Sequence, residues 1–162
     1  MRLLLQRVLS ARVSVGGEVR ASIDKGLCIL AGFGAADAAD LPGSKPWDQL
    51  IHKAVSLRIF PDDAGKMNKS LADHGGDVLL VSQFTLYADC RKGLRPSFTD
   101  AAPPEVARAL FERLALDMDA ACPGQVSTGV FQEEMVVGIE NWGPVTVMLD
   151  SDMFGAGKAE RS

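Results

Sequence analysis

Hydrophobic and polar residues alternate at the start of the chain, with the two-residue period of a β-strand that has one buried face. This pattern covers residues 2–15, and the Gly16-Gly17 pair that follows is a hairpin signal. Residues 18–23 should therefore pair back onto the first strand. A turn at residues 24–26 then leads into the continuous apolar run 27–33, which predicts a central strand. The opening of the chain thus predicts a three-stranded meander.

Two later stretches repeat apolar residues with the period of about 3.6 that is typical of an amphipathic helix. The first follows Ser44, a residue type that caps helix N-termini, and continues to about Leu57. The second starts at Pro103-Pro104, because proline is tolerated in the first turn of a helix, and stops before Pro123-Gly124. These are the two main helices of the predicted fold.

Shorter apolar runs predict the remaining strands. They cover residues 58–60, 77–86, 125–131, 135–139 and 145–149. Three strands, a helix, further strands, a second helix and three final strands do not alternate as in a doubly wound fold. We therefore expect one α/β domain with a mixed, largely antiparallel sheet over residues 1–150. Residues 151–162, and above all 155–162, have the composition of a flexible tail.

Length and composition narrow the class of protein. A chain of 162 residues fits one domain, and 47% hydrophobic residues suffice for a core. No apolar run approaches the ~18 residues of a membrane span, and the apolar start is too short for a signal peptide, so we expect a cytoplasmic protein. Three cysteines without a CxxC pair and two isolated histidines argue against a disulfide framework and a metal site. Nothing in the sequence requires a cofactor.

Charge is distributed unevenly along the chain, although the net charge of −4 is not typical of a general nucleic-acid binder. Residues 66–95 hold five basic and three acidic side chains, whereas residues 96–162 hold four basic and eleven acidic ones. The five basic residues are Lys66, Lys69, Arg91, Lys92 and Arg95. This cluster is either a solvated loop or a local surface that contacts phosphate groups.

The first candidate for chemistry is the end of the predicted strand 77–86, where Ser82, Gln83 and Thr85 follow an apolar segment. A rigid strand is a good support for reactive groups. On a regular strand, residues 83 and 85 would share one face and residues 82 and 84 the other. The alternative is a polar strand end with Phe84 in the core. A nucleophilic serine or threonine would need an adjacent base, and the sequence has neither a GxSxG motif nor a nearby histidine.

A second candidate is the stretch Asn141-Trp142-Gly143-Pro144-Val145-Thr146. The local pattern allows a hairpin turn between strands 135–139 and 145–149. Gly-Pro is an unusual way to begin a strand, however, and a cis Gly143–Pro144 bond would be only about 0.5–1 kcal/mol less stable than the trans bond. In the cis form, neighbouring carbonyl oxygens would point the same way. They would form a rigid steric and hydrogen-bonding surface that side-chain substitution does not easily alter.

These two stretches resemble the signature motifs of the D-aminoacyl-tRNA deacylase family: Ser-Gln-Phe-Thr-Leu at residues 82–86 and Asn-x-Gly-Pro-Val-Thr at residues 141–146. Shorter segments resemble the same family in the same order. They are Leu5-Gln6-Arg7-Val8, Gly65-Lys66-Met67-Asn68, Gly93-x-Arg95-Pro96-Ser97-Phe98, and Thr128-Gly129-x-Phe131 with Met135. The resemblance covers residues 1–150, and two long motifs in the right order are a specific signal.

The resemblance implies a barrel-like sheet and an enzyme that hydrolyses the ester between a D-amino acid and the 3′-terminal adenosine of tRNA. It also implies action on glycyl-tRNA and a homodimer in which Gly143-Pro144 of one subunit enters the active-site pocket of the other. Ser82, Gln83, Phe84 and Thr85 would form the catalytic segment. Substrate-binding roles would fall to Gly143, Pro144, Val145, Thr146, Asn141, Phe131, Met135, Arg7, Met67 and Asn68, with Phe131 and Met135 on the adenosine side.

The resemblance also implies how L-amino acids are rejected. An L-amino acid would push its Cβ into the carbonyl oxygens of Gly143 and Pro144, whose geometry Arg7 would help to hold, whereas a D-amino acid would direct its side chain outward. The mechanism would be RNA-assisted, with the terminal 2′-hydroxyl activating water or itself attacking. Backbone N–H groups near Phe84 would stabilise the oxyanion. A nucleophilic Thr85 is the alternative.

The chain departs from the family pattern at Trp142, where a small acidic residue is expected, and at Gln132-Glu133-Glu134, where small residues are usual. These departures affect the expected substrate range more than the reaction. One alternative is a related deacylase for mischarged L-aminoacyl-tRNA, which would need a trans Gly143–Pro144 bond and a more open pocket. The other is a non-catalytic dimer that binds an RNA end or a peptide, since the acidic last third would suit a protein partner.

Overall fold

The structure is a computed structural model that describes residues 1–154; the expected tail 155–162 lies outside the described residues. The strands are β1 (Arg2–Val15), β2 (Glu18–Ile23), β3 (Gly26–Gly32), β4 (Phe60–Pro61), β5 (Met67–Lys69), β6 (Asp77–Ser82), β7 (Val126–Thr128) and β8 (Val136–Asp150). The α-helices are α1 (Lys45–Ser56), α2 (Leu71–His74) and α3 (Pro104–Ala121). Two 3-10 turns cover Phe84–Tyr87 and Ser151–Met153.

The long strand β1 organises the sheet. Strand β8 runs antiparallel along nearly all of it, from the pair Arg2 and Asp150 to the pair Ser14 and Val136. Strands β2 and β3 pair antiparallel with its C-terminal and N-terminal halves, and therefore share its other edge. The predicted meander is thus wrong: β2 and β3 form one long return arm with a bend at residues 24–25. Because β1 has 14 residues, it accommodates both strands, and β2 need not pair with β3.

Parallel pairs complete the sheet. Strand β6 pairs parallel with β3 and with β7, which gives the order β2-β1-β3-β6-β7 with β8 on β1. The sheet is mixed, nearly closed and barrel-like, and α1 and α3 are the two main helices. The expected α/β fold class is confirmed. Among the described helices, none has both the length and the apolar character needed to cross a bilayer.

The central strands are buried on both faces, as their continuous apolar sequences predict. Leu27 and Leu80 belong to the core beneath the helices, whereas Cys28 and Val81, one residue further on, belong to a second core on the opposite face. Helix α1 begins after Ser44, whose Oγ accepts a hydrogen bond from the backbone N–H of Trp47. The sheet is therefore a rigid support for the segments that follow its strand ends.

Several predicted boundaries differ from the structure. The strand expected at residues 58–60 is β4 at Phe60–Pro61, the strand expected at residues 125–131 is the shorter β7, and the short helix α2 was not predicted. At the other end of the chain, Ser151 is buried and its Oγ accepts a hydrogen bond of 2.7 Å from the Met1 amino group. The packed fold thus extends to Phe154, past the boundary expected at residue 150.

The strand predicted over residues 77–86 ends at Ser82. Its neighbour β3 ends at Gly32, and β7 reaches only Leu80 in the register, so no strand is available to pair with residues 83–86. These residues turn into a 3-10 helix instead. The expected alternation of residues 82–85 between two strand faces is therefore wrong.

The hairpin considered between residues 135–139 and 145–149 is also wrong. Both segments belong to the single strand β8, which continues past Gly143 and Pro144. The pairing with β1 is interrupted there, because Gln6 pairs with Thr146 while Val8 pairs with Asn141. Residues 142–145 thus lie opposite the single residue Arg7 and form a bulge. We call this bulge the Gly-Pro excursion.

Candidate active site

The first predicted segment forms a tight turn at the end of β6. The Gln83 N–H donates the last ladder hydrogen bond, 2.7 Å to Ala31 O, and the Gln83 carbonyl then accepts from Leu86 N–H at 3.2 Å. The N–H groups of Phe84 and Thr85 have no acceptor among residues 1–154, because the first N–H groups of a helical turn have no partner within it. They are available to a developing negative charge.

A cavity of about 690 Å³ opens beside this turn. Its size falls within the usual range for small-molecule sites, roughly 300–1,000 Å³. The sequence-predicted residues that line it are Ser82, Gln83, Phe84, Phe131 and Met135. The cavity thus joins the end of β6 to the segment between β7 and β8.

Further walls come from residues that the site prediction missed. The Phe98 ring meets the Phe84 ring edge-on, with 5.0 Å between centroids, and both residues line the cavity. Ala107, on the first turns of α3, also lines it. Phe98 belongs to a segment that resembles the family, so its motif was the signal that could have identified it. Nothing in the local sequence marks Ala107, because only the packing of α3 places it there.

The departure at residues 132–134 also lies at the cavity, which all three residues line. Gln132 adopts φ 65°, an uncommon conformation for a residue other than glycine. Its Oε1 accepts a hydrogen bond of 2.6 Å from Arg108, whose guanidinium lies 4.7 Å from the Phe131 ring centroid. Glu133 and Glu134 therefore place two carboxylates beside the predicted adenosine side, and Arg108 adds a positive charge.

Thr85 stands apart from the cavity lining and is exposed. Its Oγ1 accepts a hydrogen bond from Gln83 Nε2, which is the only side-chain hydrogen bond of this hydroxyl within residues 1–154. No histidine, carboxylate or amine in the described chain accepts its proton. The geometry therefore supplies no base for a threonine nucleophile.

The second predicted segment projects from the sheet. Gly143 and Pro144 are exposed, and the peptide bond between them is cis. Gly143 has φ 126°, and a Cβ at this position would lie 2.6 Å from Arg7 Nη2. Only glycine fits both this conformation and this contact.

Arg7 holds the excursion from the inside of the fold. It is 7% exposed, its Nε donates to Trp142 O at 2.9 Å, and its Nη1 donates to Ile59 O. Burial lowers the pKa of the guanidinium. Arg7 thus joins β8 to the segment before β4, in agreement with the predicted packing of Arg7 near Gly143-Pro144.

The remaining predicted residues lie around the excursion or on the β4–β5 pair. Asn141 contacts Val145 and Thr146 through its side chain. Met67 is exposed on β5, and Asn68 Nδ2 donates to Asp62 Oδ2 at 2.6 Å, which holds the turn between β4 and β5. These two residues do not line the cavity. Across residues 1–154, no three His, Cys, Asp or Glu side chains are grouped as metal ligands.

The strand register separates the two halves of the predicted site. Ser82, at the cavity, is opposite Ala31, which pairs with Leu3 of β1. The Gly-Pro excursion lies opposite Arg7, four residues further along β1. At about 3.3 Å per residue, this offset is roughly 13 Å along the strands. Within a single chain, Gly143 and Pro144 therefore do not line the cavity.

Comparisons with known proteins agree with the motifs. The family described as "D-Tyr-tRNA(Tyr) deacylase" matches residues 4–150. A protein of Solidesulfovibrio magneticus named D-aminoacyl-tRNA deacylase is 55% identical over 157 residues, which cover 96% of this chain and 99% of that protein. One of Nitratidesulfovibrio vulgaris with the same name is 57% identical over 150 residues, 93% of each chain.

A solved structure is similar over the same extent. It is titled "c-Myc DNA Unwinding Element Binding Protein", is 36% identical and superposes with a TM-score of 0.84 over 93% of this chain and 98% of its own. The match over residues 4–150 and the identity above 50% with two named deacylases cover both halves of the predicted site. The chain therefore belongs to the D-Tyr-tRNA(Tyr) deacylase family of hydrolases.

Proposed function

We propose that this protein hydrolyses the ester between a D-amino acid, or glycine, and the 3′-terminal adenosine of tRNA, and that it spares L-aminoacyl-tRNA. Water adds to the ester carbonyl, the bond to the ribose oxygen breaks, and free amino acid and tRNA are released. This is a proofreading activity for translation, which places the enzyme in the cytoplasm. The names of its relatives and the two retained motifs support this reaction.

The observation that carries the proposal is the division of the site. The unpaired N–H groups of Phe84 and Thr85 belong to the turn beside the cavity, whereas the exposed Gly143 and Pro144 lie roughly 13 Å away along the strands. A second copy of the chain, related by a twofold axis, can supply to each cavity the segment that its own chain cannot. We therefore propose a homodimer with the active site at the subunit interface.

In this arrangement, each part has a distinct task. The N–H groups of Phe84 and Thr85 stabilise the oxyanion that forms as water adds. Phe131 and Met135 contact the adenosine. Val145 and Thr146 follow Gly143 and Pro144 in the excursion that the partner supplies, and they continue its rigid backbone. The carbonyls of Gly143 and Pro144 exclude the Cβ of an L-amino acid. Because backbone atoms perform the exclusion, a D side chain of any size can point away from them.

The terminal 2′-hydroxyl of the RNA activates the water in this proposal. The support is chemical: Thr85 has no base within the described residues, and no histidine lines the cavity. Met67 and Asn68 lie on a separate hairpin, and we assign them to contacts with RNA beyond the terminal nucleotide. No cofactor is needed for any of these steps.

The direct test is ester loss from matched D-tyrosyl-, L-tyrosyl- and glycyl-tRNA. We expect rapid loss of the D and glycyl esters, with the L ester spared. Rapid loss of the L ester would instead support a deacylase for mischarged L-aminoacyl-tRNA. Survival of all three esters in a stable complex with tRNA would support the non-catalytic dimer.

The shared site has its own test, which mixes two defective subunits. Gly143→Ala places a Cβ 2.6 Å from Arg7 Nη2, and we expect the excursion that this Cβ forces out of place to obstruct the partner's cavity. Ala101→Phe fills the cavity that Ala101 lines. Each variant alone should be inactive, but random mixing should restore about a quarter of the wild-type activity, since half of the dimers have one intact site of two. If each site belonged to one chain, mixing would restore nothing.

A further inference from the structure

Trp142, one of the positions at which this chain departs from the family pattern, fills a defined position beneath the Gly-Pro excursion. The Arg7 guanidinium lies 4.5 Å from its ring centroid, and Lys25 Nζ lies 5.9 Å from it. The Phe60 ring meets it edge-on with 6.4 Å between centroids, and the His74 ring is at 6.2 Å. The indole is thus in contact with both cationic and aromatic side chains.

The main chain of Trp142 is held by the same arginine that contacts its ring. Arg7 Nε donates to Trp142 O at 2.9 Å, and Arg7 Nη2 approaches Gly143 so closely that a Cβ there would lie 2.6 Å from it. One buried guanidinium therefore touches the indole face, the carbonyl before Gly143, and Gly143 itself. A change in the ring position changes all three contacts together.

The excursion has few other supports. Its four residues have no paired residues on β1, and Gly143 and Pro144 are exposed. Asn141 holds the far side through Val145. The indole is the large side chain packed under the near side, where it joins the helix-covered core as a partly buried member. Removing it would leave a void between Arg7 and the Phe60 ring.

We propose that Trp142 is a positioning residue for stereoselection: by packing against Arg7, Phe60 and His74, it fixes where the carbonyl oxygens of Gly143 and Pro144 stand. The proposal rests on the proposed function, in which those oxygens exclude L-amino acids. Trp142 itself touches no substrate. Because a displacement of about 1 Å at a reacting centre can change rates about a hundredfold, a small shift of this support is enough to alter selectivity.

The test compares Trp142→Ala with Trp142→Phe and with a control at the only other tryptophan. Trp47 is fully buried in α1, and its Nε1 donates to Asp117 at 2.9 Å, so Trp47→Phe removes core packing and a hydrogen bond away from the excursion. For each variant, kcat/KM is measured on D- and L-tyrosyl-tRNA, together with the melting temperature. The decisive quantity is the ratio of the two kcat/KM values.

We expect Trp142→Ala to lower the D-to-L ratio at least tenfold. Trp142→Phe should keep this ratio within about threefold of wild type. Trp47→Phe should lower the melting temperature and leave the ratio unchanged. An unchanged ratio in Trp142→Ala, or an equal change in Trp47→Phe, would overturn the proposal. A wild-type enzyme that does not select D esters would instead overturn the proposed function.

A crystal structure of Trp142→Ala gives a reading that does not depend on activity. We expect the carbonyl oxygens of Gly143 and Pro144 to be displaced by about 1 Å or more relative to the remainder of β8. Trp142→Phe should keep their wild-type positions. Oxygens that stay in place without the indole would show that Arg7 and Asn141 suffice, and the positioning role would be rejected.

Discussion

The side chain of Asn141 closes the Gly-Pro excursion by bonding to the backbone of Val145, four residues further along the same strand. Asn141 Oδ1 accepts from Val145 N–H at 2.9 Å, and its Nδ2 donates to Val145 O at 3.4 Å. The same Nδ2 lies 3.2 Å from Thr146 Oγ1. The amide therefore gives the backbone of Val145 the hydrogen bonds that β1 does not provide to it.

Replacement of this amide should loosen the excursion in two steps. Asn141→Asp keeps the acceptor for the Val145 N–H and loses the donor, whereas Asn141→Ala loses both. We expect Asn141→Ala to lower the free energy of unfolding by about 1–2 kcal/mol and to lower the D-to-L ratio of kcat/KM. Asn141→Asp should show a smaller change in both. Urea denaturation and ester kinetics measure the two effects.

Gln6→Ala is the matched control, because Gln6 Nε2 reaches Thr146 Oγ1 only at 3.5 Å and on the surface. It should change neither quantity. If Asn141→Ala had the same D-to-L ratio of kcat/KM as Gln6→Ala, the link between the amide and the excursion would be refuted.

The hydroxyl of Thr85 should be dispensable for ester cleavage. It is exposed, it accepts a hydrogen bond from Gln83 Nε2, and no base within residues 1–154 can take its proton. Thr85→Ala should therefore keep kcat on D-tyrosyl-tRNA within about tenfold of wild type, the scale of a lost orienting contact. Single-turnover kinetics provide the measurement.

Thr85→Ser keeps the hydroxyl and removes only the methyl group, so it serves as the control. A nucleophilic role would instead predict a loss of several orders of magnitude in Thr85→Ala, with activity retained in Thr85→Ser. That pattern would require a covalent ester on Thr85, which mass spectrometry of the quenched enzyme would detect.

The elements that the sequence predicts well depend on local periodicity. The spacing of apolar residues after Ser44 predicts α1, and its end near Leu57 agrees with the C-cap found there. The apolar run 27–33 likewise predicts β3, because a strand buried on both faces needs hydrophobic residues throughout. The two signature motifs led to the residues around the cavity and the excursion, although the sequence could not show that they lie apart.

The errors share one physical cause, which is that strand pairing depends on residues far away in the chain. Residues 83–86 have the composition of a strand, but they have no partner because β3 ends at Gly32. Gly143 and Pro144 look like a turn, yet β1 keeps β8 continuous on either side of them. Ala107 gives no signal at all, since only the packing of α3 brings it to the cavity.

His74 should make stability depend on pH between about 7 and 5. Its ring stacks on Phe60 at 4.7 Å, and its pKa is lowered by burial and by the nearby charges of Lys25, Lys69 and Arg7. The unfolded chain, with a histidine pKa near 6.5, therefore binds the proton more tightly than the fold does. Stability should fall as the pH drops through about 6.5 and level off below the folded pKa.

His74→Gln should reduce this loss. Urea denaturation at pH 7 and pH 5 gives the comparison. The range from pH 7 to pH 5 excludes most of the effect of carboxylate titration on stability. Hydrogen bonds lower the pKa of Asp62, Asp73 and Asp89, so these groups titrate at more acidic pH. Equal losses in wild type and His74→Gln would contradict the assignment.

The loop between Asp89 and Ser97 should contact the phosphate backbone of the tRNA. Two backbone hydrogen bonds between these residues, of 2.8 and 2.9 Å, close the loop next to the cavity residue Phe98. Asp89 pairs with Arg91 through both carboxylate oxygens, and the hydrogen bonds from Arg91 lower the pKa of Asp89 to about 2. Arg91 is thus already paired with a carboxylate of its own loop.

Lys92 and Arg95 are exposed on this loop and form no ion pair within residues 1–154. The double variant Lys92→Ala/Arg95→Ala should raise KM for D-tyrosyl-tRNA and leave kcat nearly unchanged. The plot of log(kcat/KM) against log salt concentration should become shallower by roughly 1.5, since each lost phosphate contact to RNA contributes about 0.7–0.9. D-tyrosyl-adenosine, which has no phosphate, should be cleaved equally by both enzymes.

Two exposed lysines on α1, Lys45 and Lys53, provide a control of equal charge. Their double replacement by alanine lowers the net charge by the same amount, so a general electrostatic effect would change the salt dependence equally in both variants. A local contact with phosphate would change the salt dependence only in the variant Lys92→Ala/Arg95→Ala. If the two double variants had the same slope, the basic loop would be a solvated surface, and the tRNA would be held by the cavity and the hairpin that carries Met67.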